Sequence, residues 1–178
     1  KQIRGLFGLP SGPVTGPGPT EAHAARGIAP HPRRARVFAL SWLAYASYYF
    51  GRKGWSVVKA SMGRELALSQ GALGAIDTCY LLAYALGQVP SGLWVDRFGP
   101  KRILVTGMLL SAAACALFAE QRALLLLCAC FALNGLAQAT GWPSCVSLAT
   151  RSLRSSTGRG RALGLWSTCY QVGGVAAT

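Results

Sequence analysis

The chain is short of acid, of histidine and of charge altogether. Charged residues fill 13% of its 178 positions, about half the share usual in a soluble domain, and 5 Asp and Glu stand against 18 Lys and Arg. Both histidines, His23 and His31, fall before the first long apolar block. With so few proton-carrying or metal-binding side chains there is no nucleophile paired with a base, no ligand cluster and no phosphate loop of the Gly-Lys-Ser type. An enzyme, a metal site and a cofactor are therefore not expected. Cys79, Cys115, Cys128, Cys130, Cys145 and Cys169 lie inside or at the ends of apolar blocks, which argues against a disulfide framework. The formal net charge of +13 is not read as a nucleic-acid surface, because no basic run is interleaved with aromatics and no zinc-finger or RNA-binding signature occurs.

What is present is apolar length. Hydrophobic residues make up 52% of the sequence, gathered into blocks of roughly the twenty residues that a helix needs to cross a bilayer. Five spans are expected, at 37–58, 72–95, 103–119, 123–148 and 161–178. Their short connections force them to run as antiparallel neighbours with every backbone polar group bonded inside its own helix. The expected fold class is thus an all-α membrane protein in contact with the lipid bilayer. Residues 1–36 hold six of the nine prolines and no apolar periodicity, and are expected to form a disordered tail.

Lys and Arg outside the spans divide unevenly. Six in the tail, Arg97, Lys101 and Arg102, and Arg151, Arg154, Arg159 and Arg161 fall on one side, against Lys59, Arg64 and Arg122 on the other. Cytoplasmic loops retain positive charge, so the N-terminus is expected in the cytoplasm and the protein in a cell's inner or plasma membrane.

Two cations lie within the first span. A basic residue near the bilayer centre costs at least about 3 kcal/mol on insertion scales, so Arg52 is expected to face a wet cavity or an opposite charge. Lys53 either shares that cavity or snorkels to the interface. Tyr45, Tyr48 or Tyr49, Arg52 and Ser56 recur at helical spacing and lay hydroxyls beside the guanidinium. A planar fork of donors flanked by tyrosines suits a phosphate on a sugar or glycerol body. Asp77, Tyr80, Tyr84 and Gln88 form a second stripe, with Asp77 a possible proton site, and Ala83, Gly87 and Ser91 have the small-residue spacing of a helix contact. Span four carries Asn134, Gln138 and Trp142, followed by Pro143; helix contact is expected of Asn134, and either contact or cavity lining of Gln138.

The run from Gly92 through Asp96-Arg97, Gly99, Pro100, Lys101 and Arg102 closes span two and turns into span three. Asp96 sits at the negative end of the helix dipole, which implies a partner made and broken as the protein changes state. This run resembles the signature loop of the major facilitator superfamily, with Pro100 where a basic residue is common. Tyr48-Tyr49-Phe50-Gly51-Arg52-Lys53, Asn134-Gly135-Leu136-Ala137-Gln138 with Gly141-Trp142-Pro143, and Arg159-Gly160 through Trp166 to Gly173-Gly174 resemble motifs of the organophosphate:phosphate antiporters. The resemblance covers about residues 37–178. It implies five helices of a six-helix N-terminal bundle whose C-terminal partner half is missing from this sequence, and it gives Arg52 the phosphate-binding position. Gln88 stands where the glycerol-phosphate and hexose-phosphate members carry a lysine, and Tyr170 where they carry a histidine.

The reading that follows is an antiporter exchanging a phosphorylated metabolite for inorganic phosphate, with Arg52, Lys53, Tyr45, Tyr48, Tyr49, Tyr84, Gln88, Gln138 and Tyr170 as candidates to line the site. The alternatives are a sugar-phosphate sensor of the same fold, a proton-coupled facilitator using Asp77, and an inactive fragment.

Overall fold

The computed structural model describes residues 32–153 and 159–178. The expected tail up to residue 31 and the loop residue Arg154 lie outside the described residues. In order, the elements are α1 Pro32–Glu65, α2 Gln70–Phe98, α3 Pro100–Ala119, α4 Leu124–Ala139, α5 Gly141–Ser152, α6 Arg159–Trp166 and α7 Thr168–Ala176. Every regular element among the described residues is helical, as the expected fold class requires.

Helix boundaries follow local chemistry. Helix α1 extends past the expected 37–58 at both ends, to Pro32 and Glu65. Proline is tolerated in a first turn, where its missing N–H costs nothing. The chain leaves α1 through Ala67, whose φ of 51° lets the Leu68 N–H reach back to the Gly63 carbonyl at 2.9 Å, the closure of a left-handed helix cap. Ser69 then caps α2, accepting from the Ala72 N–H at 3.2 Å. Between α2 and α3 the chain turns at Gly99, where φ is 88°, a value that favours glycine, and Pro100 opens α3.

Helix α2, helix α3 and the run Leu124–Ser152 through α4 and α5 are each long and apolar enough to cross a membrane. Spans four and five are not single helices. The first breaks at Thr140, and Pro143 lacks the N–H that the Ala139 carbonyl would otherwise accept. The second breaks at Ser167, between α6 and α7.

Helix α2 lies along α4, α3 against α4 and α5, and α1 against α5 and α7. The bundle is built inside out relative to a soluble protein. Its buried positions include Ser41, Ser91, Ser111, Asn134, Gln138, Thr140 and Ser144, while Leu86, Val89, Leu93, Leu109 and Leu125 face outward. Hydrocarbon surroundings remove the drive to bury leucine, so close packing and interhelical hydrogen bonds hold the helices instead. Gly87 illustrates the packing, since a Cβ there would fall 2.8 Å from that of Ala139. Two apolar clusters result, one around Tyr45, Tyr48, Cys145 and Trp166, the other around Trp55, Ile76, Tyr80, Phe118 and Phe131. Arg52, Asn134 and Gln138 belong to neither.

Candidate functional site

Helix α1 carries Arg52 into the bundle, half-buried, where α2 and α4 meet it. Its Nε donates to the Tyr80 hydroxyl at 2.8 Å and to Oε1 of Gln138 at 3.2 Å, and the Tyr80 hydroxyl donates to the same oxygen at 2.9 Å. The guanidinium carbon lies 5.1 Å from the ring centroid of Tyr49, 4.9 Å from that of Tyr84 and 5.9 Å from that of Tyr80. Each aromatic face contributes about 0.5–2 kcal/mol, more as water is excluded. Together with the three-centre hydrogen bond that the single, charged Nε–H makes to Tyr80 and Gln138, that is of the order needed to offset placing a cation in the membrane.

Among the described residues the guanidinium has no carboxylate partner. The ion pairs among the described residues are Lys59–Asp77 and Arg122–Glu65, and neither touches Arg52. Its Nε is engaged by Tyr80 and Gln138, the Tyr84 hydroxyl lies beside the guanidinium, and no carboxylate among the described residues reaches its two terminal nitrogens. That leaves a planar pair of NH2 groups, framed by aromatic rings and without a counter-ion among the described residues. Such a fork matches two oxygens of an oxyanion.

The expected lining residues separate into those near this fork and those elsewhere. Tyr49, Tyr84 and Gln138 surround Arg52 directly. Tyr45 is buried about two turns before Arg52 in an aromatic group, with its centroid 6.2 Å from that of Tyr49, 5.4 Å from Trp142 and 5.8 Å from Trp166. Tyr48 points elsewhere: its hydroxyl donates to the Leu104 carbonyl at 3.3 Å, deep in the first apolar cluster. Gln88 and Lys53 are half-buried and Tyr170 is exposed, and none of the three makes a side-chain hydrogen bond to Arg52. Ser56, expected on the stripe, is also exposed.

Asp77 is engaged by its neighbours. Lys59 forms an ion pair with it, and the Trp55 indole Nε1 donates to its other oxygen at 2.7 Å. The expectation of a free proton carrier thus meets a carboxylate already paired, because Lys59 follows Trp55 by one helical turn and both reach across from α1 to α2. The side chains of Lys59 and Asp77 are 31% and 40% exposed, so solvent weakens their attraction. A double-mutant cycle of Lys59→Met and Asp77→Asn, read by thermal unfolding in detergent, is expected to give a coupling of about 1 kcal/mol or less. A larger coupling would mean that the pair is desolvated in the assembled protein.

In the α2–α3 turn, Asp96, Arg97, Lys101 and Arg102 are exposed and Gly92 and Gly99 are half-buried. Asp96 makes no ion pair among the described residues. The Arg97 guanidinium stacks on Phe98, 5.5 Å from the ring centroid. A cleft of about 810 Å³ also opens between α1 and α3, lined by Phe50, Gly54, Trp55, Met62, Met108 and Ala112 among others. Its walls are largely apolar, though Ser47, Ser61, Ser111, Glu65 and Arg122 also line it, and Arg52 does not.

Sequence reasoning left Tyr80 out of the ligand set and assigned Ser111 no role. The 77/80/84 spacing carried the signal for Tyr80. For Ser111 the signal was a single hydroxyl in the middle of the third apolar span.

Comparison with known proteins bears on this geometry. The model of the Major Facilitator Superfamily matches residues 41–178. A probable hexose phosphate transport protein of Chlamydia pneumoniae is 28% identical over 141 residues, covering 79% of this chain and 31% of that protein. A glucose-6-phosphate exchanger of Danio rerio is 30% identical over 172 residues, covering 80% and 35%. Sugar phosphate exchanger 3 of Homo sapiens is 31% identical over 170 residues, covering 78% and 34%. The chain therefore spans about a third of the length of the curated relatives it matches. No solved structure gives a significant match.

Proposed function

The chain belongs to the Major Facilitator Superfamily, and from that premise we propose that it is the opening part of a secondary transporter that exchanges a phosphorylated metabolite for inorganic phosphate. One observation carries this reading: Arg52 is a guanidinium half-buried in the helical bundle, ringed by three tyrosines, with no carboxylate partner among the described residues. A cation held in that way is completed by an anion. The phosphate esters named for the relatives supply one, and their sugar rings are of a size to pack on Tyr49 and Tyr84.

Transport then follows by alternating access. This bundle and a second half, encoded beyond the present sequence, rock about a central site, and Arg52 and a cation from the other half share the phosphoryl group. The N-terminus lies on the cytoplasmic side of a plasma or inner membrane. The exposed Asp96, Arg97, Lys101 and Arg102 are placed to contact the second half in one access state.

The test is exchange in proteoliposomes containing the full-length protein. Vesicles loaded with radiolabelled inorganic phosphate are expected to release label when glucose 6-phosphate is added outside, saturably, and to keep it when no counter-substrate is present. Collapsing the proton gradient is expected to leave that exchange within about twofold, since Asp77 is paired with Lys59. Flux that needs the proton gradient and ignores phosphate would replace this reading with a proton-coupled facilitator. Binding of glucose 6-phosphate without any flux would replace it with a sensor.

A further inference from the structure

Deeper than Arg52 lies a polar layer shared by three helices. Gln138 is 2% exposed and Asn134 1%, so both amides must be satisfied by protein. Nδ2 of Asn134 donates to the Gly51 carbonyl at 3.1 Å, and Oδ1 of Asn134 accepts from the Ser111 hydroxyl at 2.7 Å. Nε2 of Gln138 donates to that same Oδ1 at 3.2 Å and to Ser111 Oγ at 3.4 Å. Oε1 of Gln138 accepts from Arg52 and Tyr80. Gly51 admits this layer, because a Cβ there would sit 3.0 Å from Gln138 Nε2 and 3.3 Å from Ser111 Oγ.

These bonds have a fixed direction. The Gly51 carbonyl only accepts, so Asn134 must turn its NH2 toward α1 and its oxygen toward Gln138. That oxygen in turn draws the NH2 of Gln138, which leaves only the Gln138 oxygen facing Arg52. The guanidinium has donors and no acceptor; a Gln138 amide turned the other way would present NH2 to it and repel it. The chain of bonds thus begins at the Gly51 carbonyl and ends at the side chain of the next residue, passing through α4 and α3 on the way.

We infer that Ser111 and Asn134 are positioning residues for the anion site: they hold the Gln138 amide in the one orientation that anchors Arg52 by its Nε and leaves both terminal NH2 groups for a phosphoryl group. The inference rests on the reading of Arg52 as the anion ligand. Neither Ser111 nor Asn134 touches the guanidinium, so their effect reaches the ligand only through Gln138.

The experiment is phosphate exchange by the full-length protein in proteoliposomes, with radiolabelled inorganic phosphate as probe. Ser111→Ala is expected to raise KM for phosphate about tenfold while kcat stays within about twofold, and Ser111→Thr, which keeps the hydroxyl, to remain within about threefold of the unaltered protein. Asn134→Ala is a second, independent variant expected to raise KM at least as much. An unchanged KM in both Ser111→Ala and Asn134→Ala would overturn the inference. So would equal impairment by Ser111→Ala and Ser111→Thr, or failure of both alanine variants to assemble, since either outcome makes the layer one of packing alone. If Arg52→Gln leaves exchange intact, the anion-site reading itself falls; if Arg52→Gln abolishes exchange and the alanine variants do not alter KM, only the positioning role falls.

Discussion

Arg52→Gln in the full-length protein is expected to reduce phosphate exchange by at least about 100-fold while leaving the protein as stable as before, or more so. The two terminal NH2 groups offer two charge-assisted hydrogen bonds, each contributing about 1.5–3 kcal/mol. Losing both removes roughly 3–6 kcal/mol of binding, or about 10²–10⁴ in affinity. Stability should move the other way. A guanidinium within a span costs at least about 3 kcal/mol to insert, and its removal leaves Tyr80 and Gln138 still bonded to each other. Arg52→Lys separates charge from geometry. An ammonium keeps the attraction but cannot present a planar fork or anchor by an Nε, so an intermediate loss of about 10–100-fold is expected. The measurement is KM and kcat for phosphate in proteoliposomes, beside thermal unfolding in detergent. Unimpaired exchange by either variant would remove Arg52 from the site.

Much of this was legible in the sequence, and the reason is physical. Long apolar blocks, inward polar residues and sparse charge are what a hydrocarbon solvent demands, so the helical bundle and the placing of Arg52 beside tyrosines could be read directly. The polar layer beneath Arg52 could not. Asn134 and Gln138 are one turn apart on α4, but Ser111 joins them only because α3 packs there, and no spacing along one helix encodes that. Tyr48 and Tyr49 are neighbours in sequence, yet about 100° of helical rotation sends one to the Leu104 carbonyl and the other to Arg52. The pairing of Asp77 with Lys59 has the same character, since it depends on how α1 and α2 align. The breaks at Thr140 and Ser167 were hidden for a different reason. Hydropathy continues across them, and although Pro143 lies close to the first, no proline or glycine marks Ser167 itself.

Gly135→Ala is expected to lower the thermal stability of the protein and raise KM for phosphate together, although the same change would favour an isolated helix. Alanine is about 1 kcal/mol better than glycine in a helix interior. At Gly135 the contact decides otherwise. A Cβ there would stand 2.5 Å from the Tyr80 carbonyl oxygen and 3.2 Å from the Tyr84 nitrogen, both backbone atoms of α2 that no rotamer change can move. Helix α2 would have to retreat from α4, an overpacking strain of about 1–3 kcal/mol. The retreat carries Tyr80 and Tyr84 with it. Tyr80 bonds both Arg52 and Gln138, and Tyr84 covers the guanidinium, so a shift too small to unfold the bundle is large enough to loosen the anion site. A tenfold rise in KM is expected, with kcat less affected. Gly135→Val should prevent assembly of the bundle. Gly74→Ala, on the same helix α2 with open space where its Cβ would lie, is the control and is expected to be neutral or stabilising. Equal stability of Gly135→Ala and Gly74→Ala, with unchanged KM in both, would show that the two helices do not meet as closely as the contact at Tyr80 requires.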